Sequence, residues 1–235
     1  MMTNPFRELA YYLADKGIYL DDGLLSDMET IGAIKTYDYF LKRINGLVRG
    51  VYSGNVAGEF IDIMANLIQG QLTDAYRRVW KEDGNEGPLP EYLTGPLTEA
   101  IATQYDFVDQ YFRDIVKARL DKTSIDPLMI RAGMWANRYK EATSEAARLI
   151  ALENGGKLQW VYGDADHCNT CANLNGKVAY AKEWESSGLK PQSAPNKLLE
   201  CGGWRCACSL EPTDKRRSAN VQAYLWAIAA ARDGG

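Results

Sequence analysis

The sequence predicts an α+β protein that is mainly α, with a helical N-terminal region, a small β-containing module and a C-terminal helix. Three observations carry this prediction. Long segments before residue 156 repeat apolar residues at three- and four-residue steps, the spacing of one buried helix face. After residue 157 the pattern changes to short alternating segments between turn residues, which is typical of strands. All five cysteines and the only histidine fall between His167 and Cys208, a clustering typical of a structural staple.

Composition and charge limit the class of protein. The 235 residues are 46% apolar, which is enough for a buried core, and no apolar run approaches the ~20 residues needed to cross a bilayer. The first six residues lack the basic start and apolar centre of an export signal, so we expect a reducing compartment. The net charge of −4 disfavours nucleic acid as the main partner of the whole chain, although residues 157–217 carry a local positive excess.

Three helices are predicted in the first third of the chain. Residues 5–15 predict the first and residues 27–48 the second, because apolar side chains recur there at helical spacing. Glycine then occupies every fourth position from 46 to 58, which leaves close helix packing and a broken segment both open. The third helix is clearer, because one apolar stripe extends from Phe60 to Val79 before Gly84 ends it.

Two further helices complete a helical domain predicted over residues 1–156. The fourth opens at residues 94–96 and carries an apolar stripe from Leu97 to Leu120. The fifth begins at Asp126-Pro127, where aspartate would cap the helix and proline suits its first turn, and it reaches Leu149. Only a few residues separate these two helices, so we expect them to pack antiparallel as a hairpin.

Residues 157–212 predict a separate cysteine-rich module, followed by a tail and helix in residues 213–235. The predicted elements are strands at 158–162, 177–181 and 204–210, a helical turn at 183–187, a loop at 189–197 and a last helix at 221–232. Half of the six tryptophans lie in this module. We expect Trp160, Trp184 and Trp204 to supply its core, because a module this small needs large apolar side chains and a metal for stability.

The spacing of the cysteines favours a structural metal site. Cys168-x2-Cys171 provides one chelating turn, and Cys201 followed by two glycines begins a second, as in zinc centres whose four positions are all filled. We therefore predict structural Zn²⁺ bound by Cys168, Cys171, Cys201 and Cys206. Two residues are kept in reserve as ligands: Cys208, which would share a strand face with Cys206, and His167.

Three other interpretations of the cluster are weaker. An odd number of cysteines would leave one thiol over, and a reducing compartment disfavours disulfides. A catalytic thiolate at Cys168, with His167 as its base, would require two sequence neighbours to face each other. A redox Cys-x2-Cys needs a strand-to-helix setting, which the sequence does not predict here.

Short motifs follow one another in a fixed order through the module. They are Trp160-Val161-Tyr162-Gly163, Asp166-His167-Cys168-x2-Cys171, Leu174-Asn175-Gly176-Lys177-Val178, Pro191-Gln192-Ser193 and Leu199-x-Cys201-Gly202-Gly203-Trp204-Arg205-Cys206-x-Cys208-x-Leu210. Together they resemble the phage head-morphogenesis family, the Mu F-like minor head proteins. Many members carry His-Pro-x-Cys-Arg-Cys in the second half of the site. Here Cys201 stands at that histidine, Trp204 at the first cysteine and Cys206 at the second, which supports the four-cysteine set.

The resemblance implies a minor structural protein of a tailed-phage particle or prophage. Such a protein would reside in the virion, at the capsid interior or portal vertex, and in the host cytoplasm during assembly. The implied partners are the portal protein and the major capsid protein. Packaged DNA and a homo-oligomer are further options, and no membrane partner is expected.

Three functions are compatible with these residues. We expect an assembly protein and not an enzyme, because four thiolates would saturate the metal and leave no position for a substrate or a water. A nucleic-acid-binding zinc module is the first alternative, using Arg205, the basic run at 215–217 and exposed tryptophans to contact the packaged genome. A metal-dependent hydrolase or nuclease is the second, with Asp164, Asp166 and His167 around a metal that has an open position.

Overall fold

The fold is given by a computed structural model, which describes residues 35–56, 58–163, 167–193, 195–203 and 206–233. Helices dominate it, and a three-stranded antiparallel sheet and a C-terminal helix follow, as the sequence predicts. Residues Lys35–Gly235 form one compact unit. The helix predicted at residues 5–15 and the start of the second predicted helix lie outside the described residues. No helix in the described ranges has the length and apolarity needed to span a membrane.

In the described part of the chain, five helices precede the sheet and share one apolar core. They are α1 (Tyr37–Ser53), α2 (Phe60–Glu82), α3 (Glu91–Tyr105), α4 (Val108–Leu120) and α5 (Asp126–Glu153). The long helix α5 lies along α1 and α2, while α3 and α4 pack mainly on α2 and α1. Phe60, Met64, Ile115 and Ala132 are fully buried where these helices meet.

Helix α1 continues through the region of repeated glycines and ends at Gly54. Gly54 adopts φ +85°, and its N–H donates to the carbonyls of Gly50 and Val51. A side chain on Gly50 would place its Cβ 2.8 Å from Cγ2 of Val56, so this glycine permits a close approach. Gly46 and Gly50 therefore lie within a helix, whereas Gly54 ends it, so both outcomes that the glycine spacing left open occur in this stretch.

The fourth predicted helix is wrong as a single element, because the structure contains two. Helix α3 begins at Glu91 and ends at Tyr105, and α4 starts at Val108. The apolar periodicity continues across the break, and neither glycine nor proline marks it, so the pattern alone could not locate it. Leu120, predicted to face inward, is 72% exposed at the end of α4.

The start of α5 differs from its prediction in two ways. Asp126 is the first helical residue and not the cap, and its N–H donates to Oγ of Ser124 at 3.1 Å. Contact with α4 is concentrated near the start of α5, where the Tyr111 hydroxyl donates to the Leu128 carbonyl at 2.6 Å and Arg131 pairs with Asp114. Most of α5 packs on α1 and α2, so the predicted hairpin is confined to this junction.

The sheet has the order β2-β1-β3, and both pairings are antiparallel. The strands and helices of this region are β1 (Lys157–Val161), α6 (Asn169–Leu174), β2 (Val178–Tyr180), α7 (Ala181–Ser187), β3 (Ser209–Pro212) and α8 (Val221–Asp233). The third predicted strand began too early, because residues 206–208 precede β3 and are not strand. Helix α6 was not predicted, and it contains Cys171.

A second apolar core lies beneath the sheet. Trp160 and Trp184 are fully buried, with ring centroids 5.7 Å apart, and the Trp184 indole N–H donates to the Leu158 carbonyl at 3.0 Å. Helix α8 adds the buried side chains of Val221 and Leu225. The C-terminal helix thus docks on the module itself, and two of the three predicted tryptophans form the module core. Trp204 lies outside the described residues.

Helix α5 belongs to both cores. Ile150 packs in the helical core, and the next residue, Ala151, packs in the second core. One turn earlier, the buried Arg148 guanidinium pairs with Glu145 on α5 and with Glu185 on α7. The helical layer and the cysteine-rich module are therefore joined by a continuous helix and by an ion-pair network.

Candidate metal centre

The five cysteine sulfurs converge into two overlapping groups. Sγ atoms of Cys168, Cys171 and Cys201 lie within 4.8 Å of one another, and those of Cys171, Cys206 and Cys208 do the same. We call these the first and second triads; Cys171 belongs to both. None of the five thiols forms a disulfide, and Cys171 and Cys208 are buried. Three of the four predicted ligands thus share the first triad, whereas Cys206 lies in the second with the reserve residue Cys208.

Helix α6 positions the Cys-x2-Cys pair. Cys168 is the N-cap residue with an extended backbone, and its Sγ accepts the N–H of Cys171 at 3.5 Å. This short helix is the next element after β1 in the described part of the chain, so the pair does occupy a strand-to-helix setting. The sequence did not predict that setting, because α6 is only six residues long and is rich in polar residues.

A glycine turn positions Cys201 beside α6. Gly202 and Gly203 adopt φ values of +63° and +80°, which side chains disfavour, so the two glycines allow the turn expected after this cysteine. The carboxylate of the preceding Glu200 accepts the Asn169 N–H at 2.7 Å, while its own N–H donates to Thr170 Oγ1 at 3.2 Å. These bonds attach the turn to the start of α6 and bring Cys201 to Cys168.

The segment leading into β3 positions Cys206 and Cys208. It passes so close to Gly163 that a Cβ there would lie 2.0 Å from the Ala207 carbonyl oxygen. Only glycine fits this approach, and no local signal in the sequence indicates the requirement, although Gly163 ends one of the motifs described above.

The His167 ring lies beside Cys208 and Tyr162. Its Nδ1 is 3.5 Å from the Cys208 sulfur, and its ring stacks on Tyr162 at a centroid distance of 3.7 Å and an angle of 7°. The proposed nucleophile–base pair of Cys168 and His167 therefore finds no support in this contact. Asp164 and Asp166, named for the hydrolase alternative, lie outside the described residues.

The thiols perturb one another strongly. Hydrogen bonds with the Cys206 and Cys208 thiols, followed by burial, raise the pKa of Cys171 far above its usual range. The complementary bonds from Cys171 and Cys206 lower the pKa of Cys208 to about 3 against the effect of burial. Burial chiefly raises the pKa of Cys201 to about 11. A cluster with such opposed shifts cannot hold all of its sulfurs as thiolates unless a cation is bound among them.

The donor set fits a soft metal ion. Tetrahedral zinc, with Zn–S bonds of about 2.3 Å, separates its sulfur ligands by about 3.8 Å. Sulfurs that all lie within 4.8 Å of their neighbours are close to that arrangement. Thiolate-rich sites select zinc or iron–sulfur clusters over magnesium and calcium, which prefer oxygen. The cluster can therefore hold a metal ion.

The features cited for nucleic-acid binding are largely engaged within the protein. Lys215 Nζ donates to Gln159 Oε1 at 2.8 Å, and Arg217 forms two hydrogen bonds to the carboxylate of Glu183. Trp160 and Trp184 are buried and cannot stack on bases. Arg205 lies outside the described residues. Trp226 on α8, in contrast, is 51% exposed.

Comparisons with known proteins identify no relative. No family model, curated protein or solved structure matches the chain. Function must therefore be inferred from the motifs of the sequence and from the geometry of the cysteine cluster.

Proposed function

We propose that this chain is a minor head protein of a bacteriophage, a structural component that joins the portal vertex or inner capsid and carries a structural zinc centre. The ordered motifs of the module support the phage assignment, because they resemble the head-morphogenesis family in sequence. The convergence of all five cysteines supports the metal centre and is the single structural observation on which the proposal rests.

The metal would act as a cross-link between three segments that are separate in the sequence. The sulfurs come from α6, from the turn at Cys201 and from the approach to β3, and the strands of the sheet are only three to five residues long. A module of this size gains much of its stability from a bound structural ion. Zinc would therefore fix the module on the end of α5.

A structural role is favoured over catalysis by the number of donors. Five thiols and one imidazole surround the site, which exceeds the four positions of a tetrahedral ion. A catalytic zinc keeps one position for water or substrate, and this donor set would fill it. We therefore infer that the protein has no metal-dependent activity.

The helical layer offers surface for protein partners. Ile130 and Met134 lie one turn apart on α5 and are 63% and 45% exposed, and Phe107 between α3 and α4 is 56% exposed. Exposed large apolar side chains on a rigid helical layer are suited to protein contacts. We assign the portal protein and the major capsid protein as the partners of this layer.

The assignment is tested in cells that assemble the phage encoding this chain. We expect a tagged copy to co-purify with the portal protein and to be present in purified heads in few copies. A Cys168→Ser/Cys171→Ser double variant should fail to enter heads, while a Gly133→Ala variant in α5, where a methyl group meets no neighbour within 4 Å, should enter normally. Absence of the wild-type chain from purified heads would contradict the proposal.

Metal analysis of the purified chain tests the centre independently. We expect zinc to co-purify in stoichiometric amount and the protein to be colourless. Iron with visible absorbance would instead identify an iron–sulfur cluster and overturn the zinc assignment. Salt-dependent binding of DNA by the full chain would favour the nucleic-acid alternative.

A further inference from the structure

A cleft of about 960 Å³ lies between the helical layer and one edge of the sheet. Helix α5 forms one wall with Ser144 and Ala147, the residue after α2 contributes the Asp83 side chain, and strand β3 forms another wall with Leu210. The volume is at the upper end of the range for ligand-binding pockets. The proposed function assigns no role to this cleft, and one of its walls is a strand.

Strand β3 is an edge strand, since the sheet has the order β2-β1-β3. The Thr213 N–H donates to the Lys157 carbonyl at 3.1 Å, so Thr213 and every second residue before it turn their backbone groups toward β1. The backbone groups of Leu210 and Pro212 therefore point away from β1, and both residues line the cleft. Proline has no N–H to donate, and within sheets it is typical of edge strands.

The outward backbone groups of β3 offer free hydrogen-bonding positions. Within the described residues, no protein group pairs with the Leu210 N–H, the Leu210 carbonyl or the Pro212 carbonyl, although Leu210 is only 3% exposed. The Gln192 Oε1 atom is also buried without a partner, and Gln192 lines the same cleft. Buried polar groups are almost always paired in folded proteins. The cleft thus presents three acceptors and one donor, so its ligand should be rich in N–H groups.

Four carboxylates line the cleft, and they are only partly neutralised. They belong to Glu82, Asp83, Glu211 and Asp214. Glu82 pairs with Arg78, whereas Asp83 and Glu211 each accept a hydrogen bond from a neutral side chain two residues away. All four residues are exposed, so their carboxylates can meet a charged ligand.

Two lysines also line the cleft, and both are engaged within the protein. Lys157 Nζ donates to the carbonyls of Asp214 and Lys215 at 3.0 and 2.6 Å, and Lys140 Nζ lies 4.5 Å from the centre of the Tyr37 ring. The four carboxylates outnumber the nearby cations, so the cleft has an excess of negative charge. This charge attracts a basic ligand and repels phosphate groups, which disfavours nucleic acid as the occupant.

We propose that this cleft binds an extended, basic segment of a partner protein, which pairs with β3 as a fourth strand and places lysine or arginine side chains beside Asp83, Glu211 and Asp214. In this mode of recognition the backbone hydrogen bonds supply affinity, and every second side chain of the added strand supplies specificity. The inference goes beyond the proposed function and does not depend on the metal centre.

Fluorescence anisotropy of the full chain, purified under reducing conditions, tests the sign of the charge. The probe is a labelled octapeptide of alternating lysine and valine, and its counterpart has glutamate in place of lysine. We expect the lysine peptide to bind at least about tenfold more tightly, because like charges face each other in the glutamate complex. Failure of the lysine peptide to bind, or equal binding of both peptides, would overturn the proposal.

Methylated peptides test the pairing with β3. Only one edge of an added strand bonds to its neighbour, and successive N–H groups point to opposite edges. We therefore prepare two forms of the lysine peptide, one N-methylated at every lysine and the other at every valine. One form should lose binding and the other should keep it. Equal effects in the two forms would show that no strand is added.

Protein variants test the location of the site. An Asp83→Asn/Glu211→Gln variant should weaken binding of the lysine peptide by about three- to tenfold, the range for loss of two exposed ion pairs. The matched control is Glu86→Gln/Glu99→Gln, which removes the same charge from exposed positions that do not line the cleft. Circular dichroism verifies that both variants are folded. Equal binding by the two variants would place the peptide elsewhere and overturn the assigned cleft.

Discussion

At the scale of single residues, Gly163 is the position where the geometry leaves least room. It lies just beyond the end of β1, and its missing side chain lets the Ala207 carbonyl pass where a Cβ would otherwise be. Ala207 lies between Cys206 and Cys208, so Gly163 sets the spacing between β1 and the segment that carries these two cysteines. A change there acts on the metal centre without removing a ligand.

We expect Gly163→Ala to destabilise the module by about 1–3 kcal/mol, the range for overpacking a close contact, and to lower the affinity of the proposed zinc site. Chemical denaturation followed by tryptophan fluorescence, together with zinc titration, provides the measurement. Gly133→Ala is the matched control, because no atom lies within 4 Å of its added methyl group and alanine is favoured in a helix interior. Equal stability of the two variants would contradict this account.

Some of the contacts between single residues could be predicted from the sequence, and others could not. Cys168 and Cys171 were predictable as a pair, because three residues of separation bring two side chains together in any helical turn. The division of the sulfurs into triads was not predictable, since it depends on how the turn at Cys201 and the approach to β3 close in space. The contact between His167 and Cys208 spans 41 positions and has no local signal.

At the scale of elements, the start of α7 is fixed by one carboxylate. Glu183 accepts the Tyr180 N–H at 2.9 Å and pairs with Arg217, which lies shortly before α8. The Arg217 hydrogen bond is the main cause that lowers the pKa of Glu183, in opposition to burial, and the Tyr180 N–H adds to it. This carboxylate thus links β2, α7 and the segment that leads to the last helix.

We expect this link to weaken in acid. Because the pKa of Glu183 is lower in the folded state than in the unfolded chain, its contribution is present above the unfolded pKa and is lost as pH falls through the folded value. Glu183→Gln should therefore lower the unfolding midpoint near neutral pH, and the difference from wild type should shrink in acid. Thermal unfolding of both proteins between neutral pH and pH 3 measures it.

A matched control for this experiment is Glu82→Gln, which alters the exposed pair of Arg78 and Glu82 on α2. An exposed pair contributes little to stability, so the control should resemble wild type at each pH. Metal content is measured at each pH, and the three proteins are compared only at pH values where they have the same metal content. A Glu183→Gln difference that stays constant or grows in acid would contradict the assigned link.

Elements were predictable where periodicity or turn chemistry acts locally. The third predicted helix (now α2), β1 and the last helix (α8) lie close to their predicted bounds, because one face of each is buried along its length. The break in the fourth predicted helix was not predictable, because Tyr105 and Val108 keep helical spacing across it and no glycine or proline marks it. Strand β3 starts later than the predicted strand at 204–210, because its pairing with β1 reaches only to Ser209.

At the scale of the whole molecule, the two apolar cores are stabilised by different interactions. The helical core is built from five helices that bury long apolar stripes against one another. The second core depends on Trp160, Trp184 and the sulfurs that close above them. Removal of a metal should therefore affect the two parts unequally.

We expect a strong chelator under reducing conditions to abolish the near-UV signals of Trp160 and Trp184 while most of the far-UV helical signal remains. The physical reason is that α1–α5 keep their own core when the ligand cross-links are lost. Circular dichroism in both wavelength ranges, with zinc content measured in parallel, provides the test. Zinc should restore the near-UV signals and magnesium should not. Unchanged tryptophan signals in verified metal-free protein would contradict a structural role for the ion.

The continuity of α5 has a mechanical consequence. At 28 residues and about 1.5 Å per residue it is a rod of roughly 42 Å, anchored at one end by its neighbours in the helical layer and at the other by the Arg148 ion pairs and the sheet. A partner bound at one end of α5 is therefore held at a fixed distance and in a fixed direction from the other end of the helix. Loss of the proposed zinc would loosen the attachment of the cysteine-rich module at its end of α5, while α5 itself would stay folded.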